Sequence, residues 1–226
     1  MPLVTLIALK LMCTRFYLDN ALQLENYAEQ AKKTSLGRQM AIKLPLNLTR
    51  MSGEIRPETA APVIASSRSL ERTVFPMLWG YHLGDKAPLL VNARTETAKL
   101  KPTFMDSWMA HRCAIPCSWY FEWEHARQAN GKKAAGTKYR LQPKNGMITW
   151  LCGLYRMEGQ FPHFVVLTQN AAEDIAFIHD RMPLMLPEEA VDDWINPRNS
   201  NPSKLLPLAL TDMHFEIAES AAQTDP

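Results

Sequence analysis

Apolar residues along the chain fall into short runs of two kinds. One kind recurs at helical spacing. Leu24, Tyr27, Ala28 and Ala31 share a face behind Asp19 or Asn20, either of which can cap a helix start, and that helix runs out at Lys32, Lys33 and Gly37. Pro187 opens a second helix with Ala190, Val191, Trp194 and Ile195 along one side. Shorter helical stretches are predicted at 103–109, behind Pro102, and at 171–177.

The other kind is brief, continuous and rich in β-branched and aromatic residues, which predicts strands at 62–65, 74–79, 89–94, 138–141, 149–155 and 163–168. Turn signals at Gly80, Gly84, Asp85, Asn145-Gly146 and Glu158-Gly159 punctuate them. Residues 111–123 read as one long apolar strand bent at Pro116, and 183–186 as extended chain. The basic, glycine-containing segment 125–138 reads as an exposed hairpin loop. Residues 38–50 lack a pattern, and the chain beyond Asn196 reads as surface tail. Many short strands with interspersed helices, and no regular βαβ alternation, predict an α+β fold on a curved, largely antiparallel sheet.

Composition narrows the class without naming the function. With 226 residues, 46% hydrophobic and 21% charged, the chain can bury one sizeable core. A net charge of +2 decides nothing about nucleic acid, because phosphate binding depends on where the cations cluster. Residues 1–12 are apolar, but they lack a basic start and small cleavage-site residues and are too short to span a bilayer. Neither export nor a membrane anchor is expected, and the chain reads as cytoplasmic. The four cysteines, at 13, 113, 117 and 152, form no secreted disulfide framework and read as reduced thiols. A zinc set of His111, Cys113, Cys117 and His125 has a tolerable spacing, but both cysteines fall within a strand.

Candidate chemistry lies where polar groups interrupt apolar surroundings, because burying an unpartnered polar group costs about 1–3 kcal/mol. Cys13 follows Met12, so a chain starting at Cys13 carries an amine (pKa near ~8) and a thiol (near ~8.5) on adjacent carbons. Such a pair captures an aldehyde as a Schiff base through nitrogen and then closes a thiazolidine ring through sulfur. Either translation starts at Met12 or residues 1–12 are an extension removed before Cys13 acts, which leaves 13–226 as a single domain. Asn92-Ala93-Arg94-Thr95-Glu96-Thr97 ends a hydrophobic strand. Glu122 sits among Trp119, Tyr120, Phe121 and Trp123, where desolvation should raise its pKa toward neutrality. His179-Asp180-Arg181-Met182-Pro183 offers a histidine with groups able to orient it. Trp79 and Tyr81 flank Gly80 and could stack on bases or fill the core.

In this order, Met12-Cys13-Thr14-Arg15-Phe16, Arg56-Pro57 with Ala61-Pro62, Trp79-Gly80, the 92–97 cluster, Arg112-Cys113 with Ile115-Pro116, Tyr120-Phe121-Glu122-Trp123 and the 179–183 cluster resemble the SOS response-associated peptidase family of abasic-site processing proteins. The resemblance covers roughly residues 12–196. It implies a strongly bent antiparallel β core and a basic groove for single-stranded DNA. It also implies a catalytic set of Cys13, Asn92, Glu122 and His179, with Arg15, Trp79 and Arg94 contacting DNA, Trp79 by stacking on a base.

The implied activity is covalent trapping of abasic sites in single-stranded DNA by a nucleoid-associated monomer. No metal or cofactor is needed, and β-elimination is a side reaction when ring closure is slow. Two alternatives stand beside it: a cysteine autopeptidase that removes residues 1–12, and a non-catalytic single-strand binding module. The chain departs from the family in carrying Thr14, where glycine is usual, and in having residues before Cys13, which block the amine while attached.

Overall fold

The computed structural model describes residues 13–19, 22–84, 86–127, 133–144 and 146–218, and the side chains of 22 and 125–135 are left aside. The elements run β1 (Arg15–Leu18), α1 (Leu22–Lys33), α2 (Ser35–Lys43), β2 (Gly53–Ile55), β3 (Ala60–Ser66), β4 (Arg72–Trp79), β5 (Asn92–Arg94), α3 (Thr95–Ala98), α4 (Pro102–Ala110), β6 (Arg112–Cys117), β7 (Trp119–Arg127), β8 (Lys133–Pro143), β9 (Thr149–Glu158), β10 (Phe161–Asn170), β11 (Arg181–Pro183), α5 (Glu188–Ile195) and β12 (Met213–Ile217).

The described residues form two sheets, ordered β12-β8-β7-β1-β2 and β11-β10-β4-β3-β6-β9. In the second, β9 also pairs with β10, so β4, β3, β6, β9 and β10 close into a ring, and β5 adds to β10 in parallel. The α+β architecture and the bent, largely antiparallel core match the sequence expectation. The continuous apolar runs have a simple cause: Ala61, Val63 and Ala65 pack into one core cluster, while Ala60 and Ile64 pack into the other, under the helices. Both faces of β3 are buried, so neither needs polar residues.

Several local expectations fail for physical reasons. The bend predicted at Pro116 falls instead at Ser118, where the chain passes from one sheet to the other. Pro116 stays paired with Trp150 inside β6. Ser118 holds the crossing: its N–H donates to Tyr17 O at 2.8 Å, its Oγ accepts from Asp19 N–H at 3.0 Å, and its carbonyl accepts from Thr149 Oγ1 at 3.1 Å.

Residues 38–50 are not patternless, because Thr34 caps α2 by accepting from the Gly37 N–H at 2.9 Å. Gly37 does not end a helix; it lets α2 abut α1, since a Cβ there would lie 2.2 Å from Ala31 O. The 125–138 loop is largely ladder, paired out to Arg127 and Lys133, and residues 128–132 lie outside the described set. The predicted helix at 171–177 shrinks to a single 3-10 turn, Glu173–Ile175. The tail supplies β12, which pairs with β8 along Met213 to Ile217. Cys113 and Cys117 are four residues apart on one strand, roughly 13 Å, which is too far to share a zinc ion. No helix among the described residues is long and apolar enough to cross a membrane.

Candidate active site

The site begins with the pairing of β1 and β7. The register sets Phe16 opposite Tyr120 and Arg15 opposite Phe121. Strand alternation then turns Tyr120 and Glu122 inward and Trp119, Phe121 and Trp123 outward. The cluster that looked like one carboxylate among four aromatics is therefore split between the two faces of a sheet.

Inside, the backbone N–H of Cys13 donates to Glu122 Oε2 at 2.8 Å. In the present chain that nitrogen is a peptide amide; in a chain beginning at Cys13 it is the α-amine. Glu122 Oε1 accepts the Trp123 N–H at 3.2 Å. Only 6% of Glu122 is exposed. Burial lifts its carboxyl to about 7, opposed by the two N–H groups and reinforced by Asp180. Near neutral pH the group is divided between acid and base.

The Cys13 thiol is not activated in this arrangement. It is 1% exposed, and burial first, then Glu122 and Cys117, push its thiol well above the ordinary range. In this arrangement it is a neutral S–H. Its φ of 37° lies in the left-handed region, which is strained for a residue other than glycine.

A second group gathers around β5 and the turn before β11. Asn92, Arg94, Thr168, Asp180 and Arg181 line a cavity of about 430 Å³. Arg181 fastens the two halves of this group. Its guanidinium grips both Glu96 oxygens at 2.6 and 2.8 Å and also donates to Asn170 Oδ1 at 2.5 Å and Thr168 O at 2.8 Å. The 92–97 and 179–183 clusters are thus joined by a two-pronged ion pair.

His179 is buried, with Nδ1 3.0 Å from the Arg181 N–H and 2.9 Å from Asp180 Oδ1. One nitrogen cannot accept from the first and donate to the second at once. The neutral ring accepts from Arg181, and protonation favours Asp180.

Trp79 links the two groups from below. Its indole lies 5.0 Å from the Phe16 ring and 5.9 Å from Phe164, and its Nε1–H donates to Val91 O at 2.9 Å. At 0% exposure it offers no free face to a base in this DNA-free arrangement, where it fills the core. It braces the strand behind Cys13 against the chain leading into Asn92.

Arg94 is exposed beside the cavity. Arg15 points to the outer sheet face, pairs with Glu54 at 2.9 Å and lies 5.6 Å over Trp123. That face holds a ladder invisible in the linear chain. Tyr17 stacks on Trp119 at 4.9 Å, Lys138 sits 3.8 Å over Phe121, and Arg140 sits 5.3 Å over Trp119. The aromatics at 119, 121 and 123 signal one strand face, but their cationic partners come from the two strands paired with it, Arg15 from β1 and Lys138 and Arg140 from β8.

Asp180 acts on both Glu122 and His179, and its reach to Glu122 is not visible in the linear order of the chain. Among the described residues, His82, Glu158 and His163 bring donor atoms within 4.8 Å of one another. Arg156 already holds Glu158 there, at 2.6 and 2.8 Å.

The sequence profile of the family described as SOS response associated peptidase matches residues 12–222. The abasic site processing protein YobE of Bacillus subtilis is 32% identical over 133 residues, 55% of this chain and 58% of that protein. The abasic site processing protein YedK of Escherichia coli K12 is 30% identical over 139 residues, 59% and 60% of the two chains. The match thus spans little more than half the length of these relatives. In fold, a phage-related protein of Bordetella bronchiseptica superposes with a TM-score of 0.68 at 18% identity, covering 92% of this chain and 95% of that one. A Bacteroides thetaiotaomicron protein gives 0.65 at 20% identity, covering 92% and 93%. The chain belongs to the SOS response associated peptidase family.

Proposed function

We propose that this protein, once the Cys13 amine is exposed, traps abasic sites in single-stranded DNA as a covalent thiazolidine. The 2.8 Å contact from the Cys13 nitrogen to Glu122 Oε2 carries this reading. The Cys13 nitrogen lone pair adds to the aldehyde carbon of the ring-opened sugar, and the carbonyl electron pair moves to oxygen. Glu122 relays both protons of that nitrogen, one after the other, to the oxygen, which leaves as water and gives the imine. Glu122 then passes the thiol proton to the imine nitrogen as Cys13 Sγ adds to the imine carbon and closes the ring.

A carboxyl near 7 suits both directions of transfer. Asn92 holds sugar oxygens, and His179, poised between Arg181 and Asp180, assists ring opening. Arg94 and Arg15 hold flanking phosphates, Arg15 in competition with Glu54. On this reading residues 13–226 are one processing domain, which acts as a monomer at the nucleoid. The test is incubation with an abasic single-stranded oligonucleotide, read on a denaturing gel and by intact mass. The expected product is a denaturant-resistant adduct one water lighter than its components. Salt-reversible binding alone would instead identify a binding module.

The same contact favours a preceding cis-peptidase step. Cys13 Sγ attacks the Met12 carbonyl carbon while Glu122 passes the thiol proton to the departing Cys13 nitrogen, and water then hydrolyses the thioester, returning the Cys13 thiol and releasing residues 1–12 as a carboxylate. The strained φ of Cys13 exists only while Met12 is attached, so cleavage releases it. Intact mass before and after incubation reads this directly. A Glu122→Gln protein that retains Met12 supports it; one that loses residues 1–12 at the wild-type rate refutes it.

A further inference from the structure

The aldehyde-capture scheme leaves one buried polar group at the site unused. Tyr120 is 1% exposed, and among the described residues its hydroxyl has no hydrogen-bond partner. An orphaned O–H costs roughly 1–3 kcal/mol, so a fold that keeps one beside a nucleophile leaves a donor for whatever enters. Tyr120 lies on the inward face of β7 with Glu122, two residues and about 7 Å of strand away, and opposite buried Phe16 of β1. The ring is thus anchored beneath the Cys13 segment.

We propose that the Tyr120 hydroxyl is a catalytic hydrogen-bond donor to the aldehyde oxygen that Cys13 attacks. The inference rests on the aldehyde-capture reading and adds to it the group that receives the developing oxygen charge. When the Cys13 nitrogen lone pair adds to carbon, the carbonyl pair collects on oxygen. Tyr120 stabilises that oxygen without giving up its proton, Glu122 moves the two nitrogen protons in turn to the oxygen, and water departs. Burial, followed by the neighbouring Cys13, Glu122, Asp174 and Cys117, pushes the tyrosine hydroxyl well above its ordinary range. It therefore remains a donor throughout neutral pH and does not compete with Glu122 as a base.

Tyr120→Phe keeps the ring and its packing and removes only the hydroxyl. The protein is used with its Cys13 amine exposed, verified by intact mass. Capture of an abasic oligonucleotide is followed under single turnover, with the imine fixed by borohydride. The rate at saturating oligonucleotide should fall about 10- to 100-fold, with half-saturation within about twofold of wild type. The melting temperature should stay level or rise, because an unsatisfied polar atom has gone. Glycolaldehyde, which has no base or phosphate, should show the same loss of rate. An unchanged rate would mean that the hydroxyl only holds a water, and a defect confined to half-saturation would make it a DNA contact; either result overturns the proposal. Wild-type protein that captures neither aldehyde sinks the capture reading itself, independently of the variant.

Discussion

Glu122 and Cys13, 109 residues apart in sequence, meet at 2.8 Å, carboxylate oxygen to backbone nitrogen. The β1–β7 register makes this encounter, and the same burial that hides Cys13 lifts Glu122 to about 7. One side chain is thereby aimed at the nitrogen that must attack and tuned to move its protons.

Replacing Glu122 with Gln should lower the rate of imine formation about 10²- to 10⁴-fold, the usual span for a positioned acid–base group. The wild-type rate should rise with pH through about 7, as the carboxylate becomes available to take the amine proton. The variant should lose that limb. Borohydride trapping between about pH 5.5 and 9 makes the comparison, and an intact limb in the variant would assign it to another group.

The same substitution should stabilise the fold at alkaline pH. Glu122 titrates higher in the folded chain than its ordinary 4.5. Its contribution is therefore fully present below about 4.5 and is lost as pH rises through about 7. The loss approaches about 3 kcal/mol by about pH 8. Denaturant melts of both proteins should nearly coincide near pH 5 and diverge in favour of Gln by pH 8. Parallel curves would show that burial does not control this carboxyl.

Trp79→Phe separates bracing from base stacking. The phenyl ring cannot donate to Val91 O and fills less of the space between Phe16 and Phe164. Stability should drop by about 1–3 kcal/mol, with crosslinking reduced and salt-reversible DNA affinity little changed. A large affinity loss at unchanged stability would restore the stacking role.

Glu96→Ala leaves Arg181 with Asn170 and Thr168 but without its two-pronged partner. We expect about 1–3 kcal/mol of destabilisation and slower crosslinking, because the turn carrying His179 and Asp180 loses its tie to the Asn92 strand. Urea melts and single-turnover rates report the two effects separately.

Gly37→Ala tests the α1–α2 junction far from the chemistry in role. A new Cβ would meet the backbone oxygens of Ala31 and Lys32 at 2.2 and 2.7 Å, so one helix must shift. The cost should be at least about 1–3 kcal/mol, with crosslinking per folded molecule unchanged.

Much of this protein is written locally. The spacing of Leu24, Ala28 and Ala31 and of Val191 and Trp194 fixes two helices, and the continuous apolar runs fix β3, β4, β9 and β10, because an element that buries one stripe or both faces must be apolar there. Seven ordered motifs were enough to reach the family and to nominate Cys13, Asn92, Glu122 and His179. Register and closure are long-range, and only the tertiary structure decided them. They divided the aromatic cluster around Glu122 between two faces, moved the bend from Pro116 to Ser118, and recruited the supposed tail as β12. They also sank Trp79 into the core and left the Tyr120 hydroxyl unpartnered among the described residues. Burial, and the pKa shifts and orphaned donors it produces, depends on what the rest of the chain places around a side chain, which no stretch of neighbouring residues encodes.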